Sequence, residues 1–298
     1  MKVALLLFLV IESSVLYGQT FEKQELITFG SRIDNPVTME VIRTKDVLSF
    51  YADNKSIYPY RLELEFTMFR NLTPMKSTEQ FVLHSGRNLL FKLTIVEPTQ
   101  SPGYSYSIRY RMGNPDEKAD ENFSYLLPGA IGKTLKVHRV ATANTFVTYK
   151  GTFTAQKGDT VYAVRKGTVA ALPDMEKSTD RILKNTLEVR HADGTIAVYS
   201  NVYSTVPLVR YGDKVFPGQP IGIVGELDFL RVNVFRFLEE GKLAPIEMKY
   251  AVNESTSMAF HELDETVVEH PVPVIEKELT DREIKKFRKG NLYPIAKE

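Results

Sequence analysis

Few residues in this chain have the types and spacing that a catalytic centre requires. His261-Glu262 is the nearest approach to a HExxH zinc helix, but the second histidine is missing, which favours a solvated acidic segment. Cysteine is absent, so a thiolate nucleophile is excluded. The chain has neither a G-x-S-x-G elbow nor a phosphate-binding loop. The sequence therefore predicts no catalytic residues.

His191 is the histidine whose surroundings are most informative. The segment 191–194, His-Ala-Asp-Gly, separates two strand-like runs at 185–190 and 195–200, a pattern typical of a β-hairpin. A lone imidazole beside Asp-Gly most often orders such a turn through local hydrogen bonds. We therefore expect His191 to be structural rather than a metal ligand.

The composition excludes several classes of partner. The 298 residues carry 38 Lys and Arg against 37 Asp and Glu, and this balance is not typical of a nucleic-acid binder or a polybasic membrane binder. Residues 1–18 resemble a signal peptide, since Lys2 precedes a short apolar run and Leu16-Tyr17-Gly18 offers a cleavage site. No later apolar run is long enough to span a bilayer. We expect an exported protein of the periplasm, cell envelope or extracellular space, without disulfides.

In the first half of the chain after the signal, apolar and polar residues alternate with a period of two. Leu62, Leu64, Phe66 and Met68 are predicted to point one way, and a similar alternation runs through 89–95, from Leu89 to Ile95, and 104–112. Turn-forming residues separate these runs. The pattern predicts an all-β region at 19–118 with an immunoglobulin-like β-sandwich, and a small barrel is the alternative.

A charged segment at 116–121 marks the predicted domain boundary. A second β region is expected at 119–262. An extended tail follows at 263–298, with one short helix that begins at a capping box, Thr280 to Glu283, and ends at Gly290. Ile284 and Phe287 of this helix are expected to dock on a domain.

Four blocks of the second region resemble the lysostaphin/LytM-type zinc metallopeptidases, which cut cell-wall cross-links. The blocks keep their order and spacing over some 120 residues, and are 125–133, 158–167, 185–202 and 211–222. The second is similar to GTxVxAARxG, the third to NYVxIxHxDGTxAxYxHL and the fourth to xGdxVxxGqxIG. The resemblance implies an antiparallel β barrel or sandwich with tight turns, in which glycines meet the need for positive φ or close approach.

Other residue types stand here at the positions that bind zinc or assist catalysis in that family. By spacing, Thr152 occupies the aspartate position, Asn201 the YxHL histidine position, and Val232 and Val234 the two histidine positions of HLHF. The segment 139–158 contains no His, Asp, Glu or Cys for the upstream ligand. A hydrolytic zinc needs three protein ligands and one open position. We therefore predict that zinc and other cofactors are absent.

The sequence thus predicts a non-catalytic, LytM-like envelope module that binds a cell-wall peptide or a partner envelope protein. Thr152, Asn201, Val232 and Val234 are expected to line the former metal groove as a binding surface, unless the two valines only extend the core. The alternative from another class is an active zinc endopeptidase acting on peptidoglycan cross-links. A third interpretation is a structural or adhesive module in which the N-terminal β region carries the function.

Overall fold

The computed structural model describes residues 33–141, 146–173, 185–203, 208–238 and 241–293, with side chains for all of these except 139–150. The predicted signal peptide and most of the loop between Pro173 and Lys184 lie outside the described residues. All described residues fall in one unit, Ser31–Glu298. No helix within them has the length and apolarity that crossing a bilayer requires.

The alternating segments of the N-terminal half form two antiparallel sheets. Their strands are β1 (Val37–Thr44), β2 (Val47–Asn54), β3 (Tyr60–Arg70), β4 (Leu72–Thr73), β5 (Thr78–Leu83), β6 (Gly86–Ile95) and β7 (Gly103–Met112). One sheet has the order β1-β2-β6-β4 and the other β5-β3-β7. The two share a core, since the ring of Phe50 on β2 lies 5.8 Å from that of Phe66 on β3 and 5.4 Å from that of Tyr104 on β7. The all-β prediction is confirmed, whereas the immunoglobulin-like character and the boundary at residue 118 stay predictions.

Two residues predicted to point inward are instead exposed, because β-bulges interrupt the alternation. The pairing of β3 with β7 shifts between Phe66 and Met68, and the Met68 side chain is 51% exposed. The pairing of β2 with β6 shifts next to Leu89, which is also 51% exposed, and Leu90 packs on the core in its place. One extra residue in a strand reverses the faces beyond it. The inward orientation predicted for Met68 and Leu89 is therefore wrong.

The second half is built around one long antiparallel sheet. The strands of this half are β8 (Ser124–Tyr125), β9 (Thr134–Ala141), β10 (Phe146–Thr154), β11 (Thr160–Tyr162), β12 (Gly167–Ala171), β13 (Thr186–Arg190), β14 (Ile196–Ser200), β15 (Val202–Tyr203), β16 (Lys214–Val215), β17 (Pro220–Val224), β18 (Phe229–Phe237), β19 (Leu243–Ile246), β20 (Lys249–Ala251), β21 (Ser257–Ala259) and β22 (Glu265–Val267). The long sheet has the order β16-β12-β13-β14-β18-β10-β9-β22, and β19 pairs with β18. Two small sheets accompany it, with the orders β11-β17-β15 and β21-β20-β8. The hairpin predicted around 191–194 is confirmed by the pairing of β13 with β14.

The two faces of the long sheet differ in chemistry. Leu187, Tyr199 and Val232 are directly opposite one another on β13, β14 and β18, and all three are buried in the main core. Residues directly opposite in a ladder share a face, and their sequence neighbours take the other. We call that other surface the polar face; it carries Thr152, Thr186, Glu188, Ser200, Arg231 and Asn233, together with the buried apolar side chains of Ile196, Val198 and Phe235.

The tail packs on the second half through two short helices. These are α1 (Val272–Glu276) and α2 (Asp281–Arg288). The capping box is confirmed, because the Glu283 amide donates to Thr280 Oγ1 and the Thr280 amide donates to the Glu283 carboxylate. Ile284 and Phe287 pack on a cluster formed with Leu126. The docking expected for this helix is thus confirmed.

Candidate functional site

The polar face places an arginine beside the residue that occupies the aspartate position. Thr152 on β10 is directly opposite Arg231 on β18. The Arg231 Nε–H donates to Thr152 Oγ1 over 3.0 Å, and Thr152 is buried. Asn233 lies two residues further along β18 and therefore on the same face. The side chains of Thr152, Arg231 and Asn233 therefore lie on the same face of two neighbouring strands.

Val232 and Val234 lie on the opposite face. Both side chains are fully buried in the main core, where Val232 is opposite Tyr199 and Val234 is opposite Ala197. The structure therefore does not bring the four predicted groove residues together: Thr152 is on the polar face and the two valines are on the core face. Ligand binding by this set stays a prediction. Thr152 instead shares its face with Arg231 and Asn233.

Asn201 stabilises the loop that follows β17. Its backbone has a positive φ of 64°, which Asn tolerates better than most residues. Its side-chain amide donates to the carbonyls of Leu227 and Phe229 over 2.8 and 2.6 Å, and the side chain is buried. Both amide hydrogens are thus used within the chain, and Asn201 fixes the loop that leads into β18.

Replacing Asn201 by alanine is expected to lower the free energy of unfolding by about 2–4 kcal/mol, because two buried hydrogen bonds are lost and alanine resists a positive φ. Asn201→Gly loses the same bonds without the backbone strain and should cost about 1 kcal/mol less. Urea denaturation measures both variants. Wild-type stability in both would contradict the structural role assigned to Asn201.

The N-terminal half contacts the polar face through the β2–β3 connection. The Tyr58 hydroxyl donates to Glu188 Oε2, and both residues are 5% exposed. The ring of Tyr58 lies 6.0 Å from that of Phe237, and the Ile57 amide donates to the Tyr211 hydroxyl over 2.8 Å. Part of the polar face is therefore occupied by this chain's own residues.

His191 orders the hairpin as predicted. The ring Nδ1 lies 3.0 Å from Thr195 Oγ1, and the His191 amide donates to the Thr195 carbonyl over 2.8 Å. Thr195 Oγ1 itself donates to Asp193 Oδ1 over 2.7 Å. Complete burial, with the nearby Arg165 cation, lowers the pKa of His191 to about 3, so that the ring is neutral.

A buried cation holds the hairpin against the tail. The Arg165 guanidinium donates to Asp193 Oδ2 over 2.8 Å and to Glu278 Oε1 over 2.6 Å. It also lies 3.8 Å from the centroid of the Phe123 ring. Burial alone would raise the pKa of Asp193, but hydrogen bonds from the Asp120 amide and Arg165 outweigh it and lower the pKa to about 2. These contacts join β13–β14 to the segment between α1 and α2.

Within the described ranges, no three His, Cys, Asp or Glu side chains come together as a metal-binding group. His261, the start of the HExxH-like segment, is exposed and pairs with Glu247 at 2.9 Å. Thr152, at the predicted aspartate position, is not a usual zinc ligand, and the guanidinium of the neighbouring Arg231 offers no lone pair.

Sequence reasoning missed Arg231, Asn233, Glu188 and Tyr58. A signal for the first two was present, because Leu230, Val232 and Val234 alternate with Arg231 and Asn233 in a period of two. That alternation assigns the valines to the core and the polar residues to the face that carries Thr152. The Tyr58–Glu188 contact joins residues 130 apart in sequence and has no local signal.

The described residues form a largely β chain whose second half is built on one long antiparallel sheet. Residues 148–234 match the family model of Peptidase family M23. The match covers 87 of the 298 residues. No curated protein matches the chain.

Three solved structures illustrate the likeness. The SpoIIIAH–SpoIIQ complex shows 23% identity and a TM-score of 0.27, and the alignment covers 41% of this chain and 96% of that one. The catalytic domain of the prophage-encoded M23 protein EnpA from Enterococcus faecalis shows 20% identity and a TM-score of 0.27, covering 43% and 91%. Csd3 from Helicobacter pylori shows 11% identity and a TM-score of 0.30, covering 85% and 77%.

Proposed function

We propose that this chain is a non-catalytic M23-type module of the cell envelope that binds a wall peptide or a partner envelope protein. The observation that carries the proposal is the Arg231–Thr152 pair on the polar face. A permanently charged guanidinium lies beside Thr152, the predicted aspartate position, and it would repel a metal ion rather than bind one.

The same residues suit recognition. A guanidinium has five donors in a fixed fork, and the Asn233 amide both donates and accepts, so that the pair can hydrogen-bond the carboxylate or backbone of an extended peptide. Both residues are partly exposed. We place the ligand contacts on Arg231 and Asn233, next to the predicted Thr152 and Asn201. Val232 and Val234 would support the strand from the core side.

A segment that resembles a signal peptide supports the envelope assignment. The first 18 residues have the basic start, short apolar run and small-residue end of a signal peptide. Intact-mass measurement of protein from its native host is expected to show a chain that begins at Gln19.

The purified chain is expected to contain no stoichiometric zinc and to leave peptidoglycan intact, with or without added Zn²⁺. The physical reason is that Thr152, Val232 and Val234 at the predicted ligand positions do not supply the three lone-pair donors that a hydrolytic zinc requires, and residues 139–158 contain no His, Asp, Glu or Cys. Elemental analysis after dialysis and a dye-release assay on cell walls measure the two quantities. Near-stoichiometric zinc, or wall cleavage that chelators abolish, would favour the endopeptidase instead.

Binding is tested by capture from envelope extract with the full chain and with an Arg231→Met/Asn233→Ala variant. The variant removes the polar donors without touching the core face, so loss of capture with little loss of stability is expected. Undiminished capture would move the binding surface away from the polar face.

A further inference from the structure

The helix α2 carries three cations on one exposed side, and its C-cap residue Lys289 adds a fourth. Arg282, Lys285, Lys286 and Lys289 are spaced i, i+3, i+4 and i+7, and all four are exposed. At about 100° per residue these positions fall within one sector of about 100°. The centre of that sector is directly opposite the edge formed by Ile284 and Phe287, which packs on the protein. We call these four residues the basic stripe.

The members of the basic stripe have no ion-pair partner among the residues that the structure describes. Two of the other charged residues of the helix are paired, since Arg288 binds Glu276 at 2.7 Å and Glu283 binds Lys166 at 2.6 Å, whereas Asp281 is exposed one turn before Lys285. The chain as a whole has a net charge of only +1. The positive charge is therefore concentrated locally, in a way that the overall composition does not indicate.

The closely spaced charges of the basic stripe destabilise the isolated helix. Like charges at i, i+3 and i, i+4 repel, and the basic stripe contains four such pairs. The helix dipole favours lysines in the last turn but disfavours a cation such as Arg282 in the first turn. The dipole therefore accounts for only part of the basic stripe. An external anionic surface would remove the repulsion along its whole length.

We propose that the basic stripe docks the protein on the anionic headgroups of a lipid bilayer. The stripe is convex and about 10 Å long, which suits an extended charged plane better than a small anion in a pocket. Lysine is depleted in protein–protein interfaces, which disfavours an acidic protein as the partner. Each basic residue near an anionic membrane surface strengthens binding about fivefold. Four such residues give weak, reversible and salt-sensitive adsorption.

Sedimentation with vesicles tests the proposal on the full chain. Vesicles of 30% phosphatidylglycerol in phosphatidylcholine are expected to bind the wild type at low ionic strength, and pure phosphatidylcholine vesicles are not. Lys285→Glu/Lys286→Glu should weaken binding at least tenfold, because two attractive charges become repulsive. Raising the salt to about 0.5 M should release the wild type.

A matched control separates the basic stripe from net charge. Lys55→Glu/Lys92→Glu makes the same charge change at exposed lysines of the N-terminal half and should bind nearly as well as the wild type. Circular dichroism checks that every variant is folded, and Lys285→Gln/Lys286→Gln, which removes charge without reversing it, should give an intermediate loss. Equal loss in the two glutamate variants, wild-type binding by Lys285→Glu/Lys286→Glu, or failure of the wild type to bind the anionic vesicles would overturn the proposal.

Discussion

A variant with Thr152→Asp, Arg231→His and Asn233→His is expected to bind about one zinc ion per chain, whereas the wild type binds none. Thr152 and Arg231 are directly opposite each other, and Asn233 is the diagonal neighbour on the same face. Side chains so placed have Cβ atoms within about 5–8 Å, a span that one carboxylate and two imidazoles can bridge around a single ion. The substitutions also remove the guanidinium that would repel the metal.

Zinc binding is measured by elemental analysis and by calorimetric titration, and the melting temperature should rise when zinc is added because the ion binds only the folded state. The matched control is Thr152→Asp with Val232→His and Val234→His. Those histidines would enter the core, where each buried imidazole without a partner costs about 2–4 kcal/mol. This control is expected to unfold readily and to bind no zinc tightly. Zinc binding by the control alone would show that the valines occupy the histidine positions.

Strand β18 shows which features of the candidate site could be predicted from the sequence. Spacing along the motifs assigned Thr152 to the aspartate position and Val232 and Val234 to the two histidine positions, and the structure places Thr152 on one face of the sheet and the valines on the other. A shift of one residue in a strand moves every side chain to the other face. The apolar alternation from Leu230 to Val234 predicts which face of β18 is buried, and it is local to the strand.

The period-two patterns and the turn residues predicted the strands and the hairpin, and the structure confirms these elements. The exposed positions of Met68 and Leu89 did not follow, because a β-bulge depends on the register with a partner strand and not on the strand's own residues. The Tyr58–Glu188 contact and the Arg165 cluster are likewise tertiary. Arg165 joins Asp193 and Glu278, the second of which is 113 residues away.

Replacing Arg165 by methionine is expected to lower the free energy of unfolding by about 3–5 kcal/mol, because the Asp193 and Glu278 carboxylates would remain buried without their cation. The Arg165 side chain is only 4% exposed and also stacks on Phe123, so that both an ion-pair and a ring contact are lost. Methionine keeps much of the side-chain volume, which separates the loss of charge from the creation of a cavity. Chemical denaturation at pH 7 measures the difference.

The matched control is Arg109→Met, which breaks the pair with Glu63 on an exposed strand. Arg109 is 70% exposed, and solvent-exposed pairs of this kind contribute little to stability. The two variants should also differ in their response to acid. The folded pKa of Asp193, about 2, lies below its unfolded value, so the stability it contributes is complete above about pH 4 and is lost as the pH falls towards 2. The deficit of Arg165→Met should therefore shrink over that interval, since protonation of the carboxylates removes the unpaired charges. A deficit no larger than that of Arg109→Met would mean that the tail is held on the hairpin by the apolar cluster around Leu126 and not by this cation.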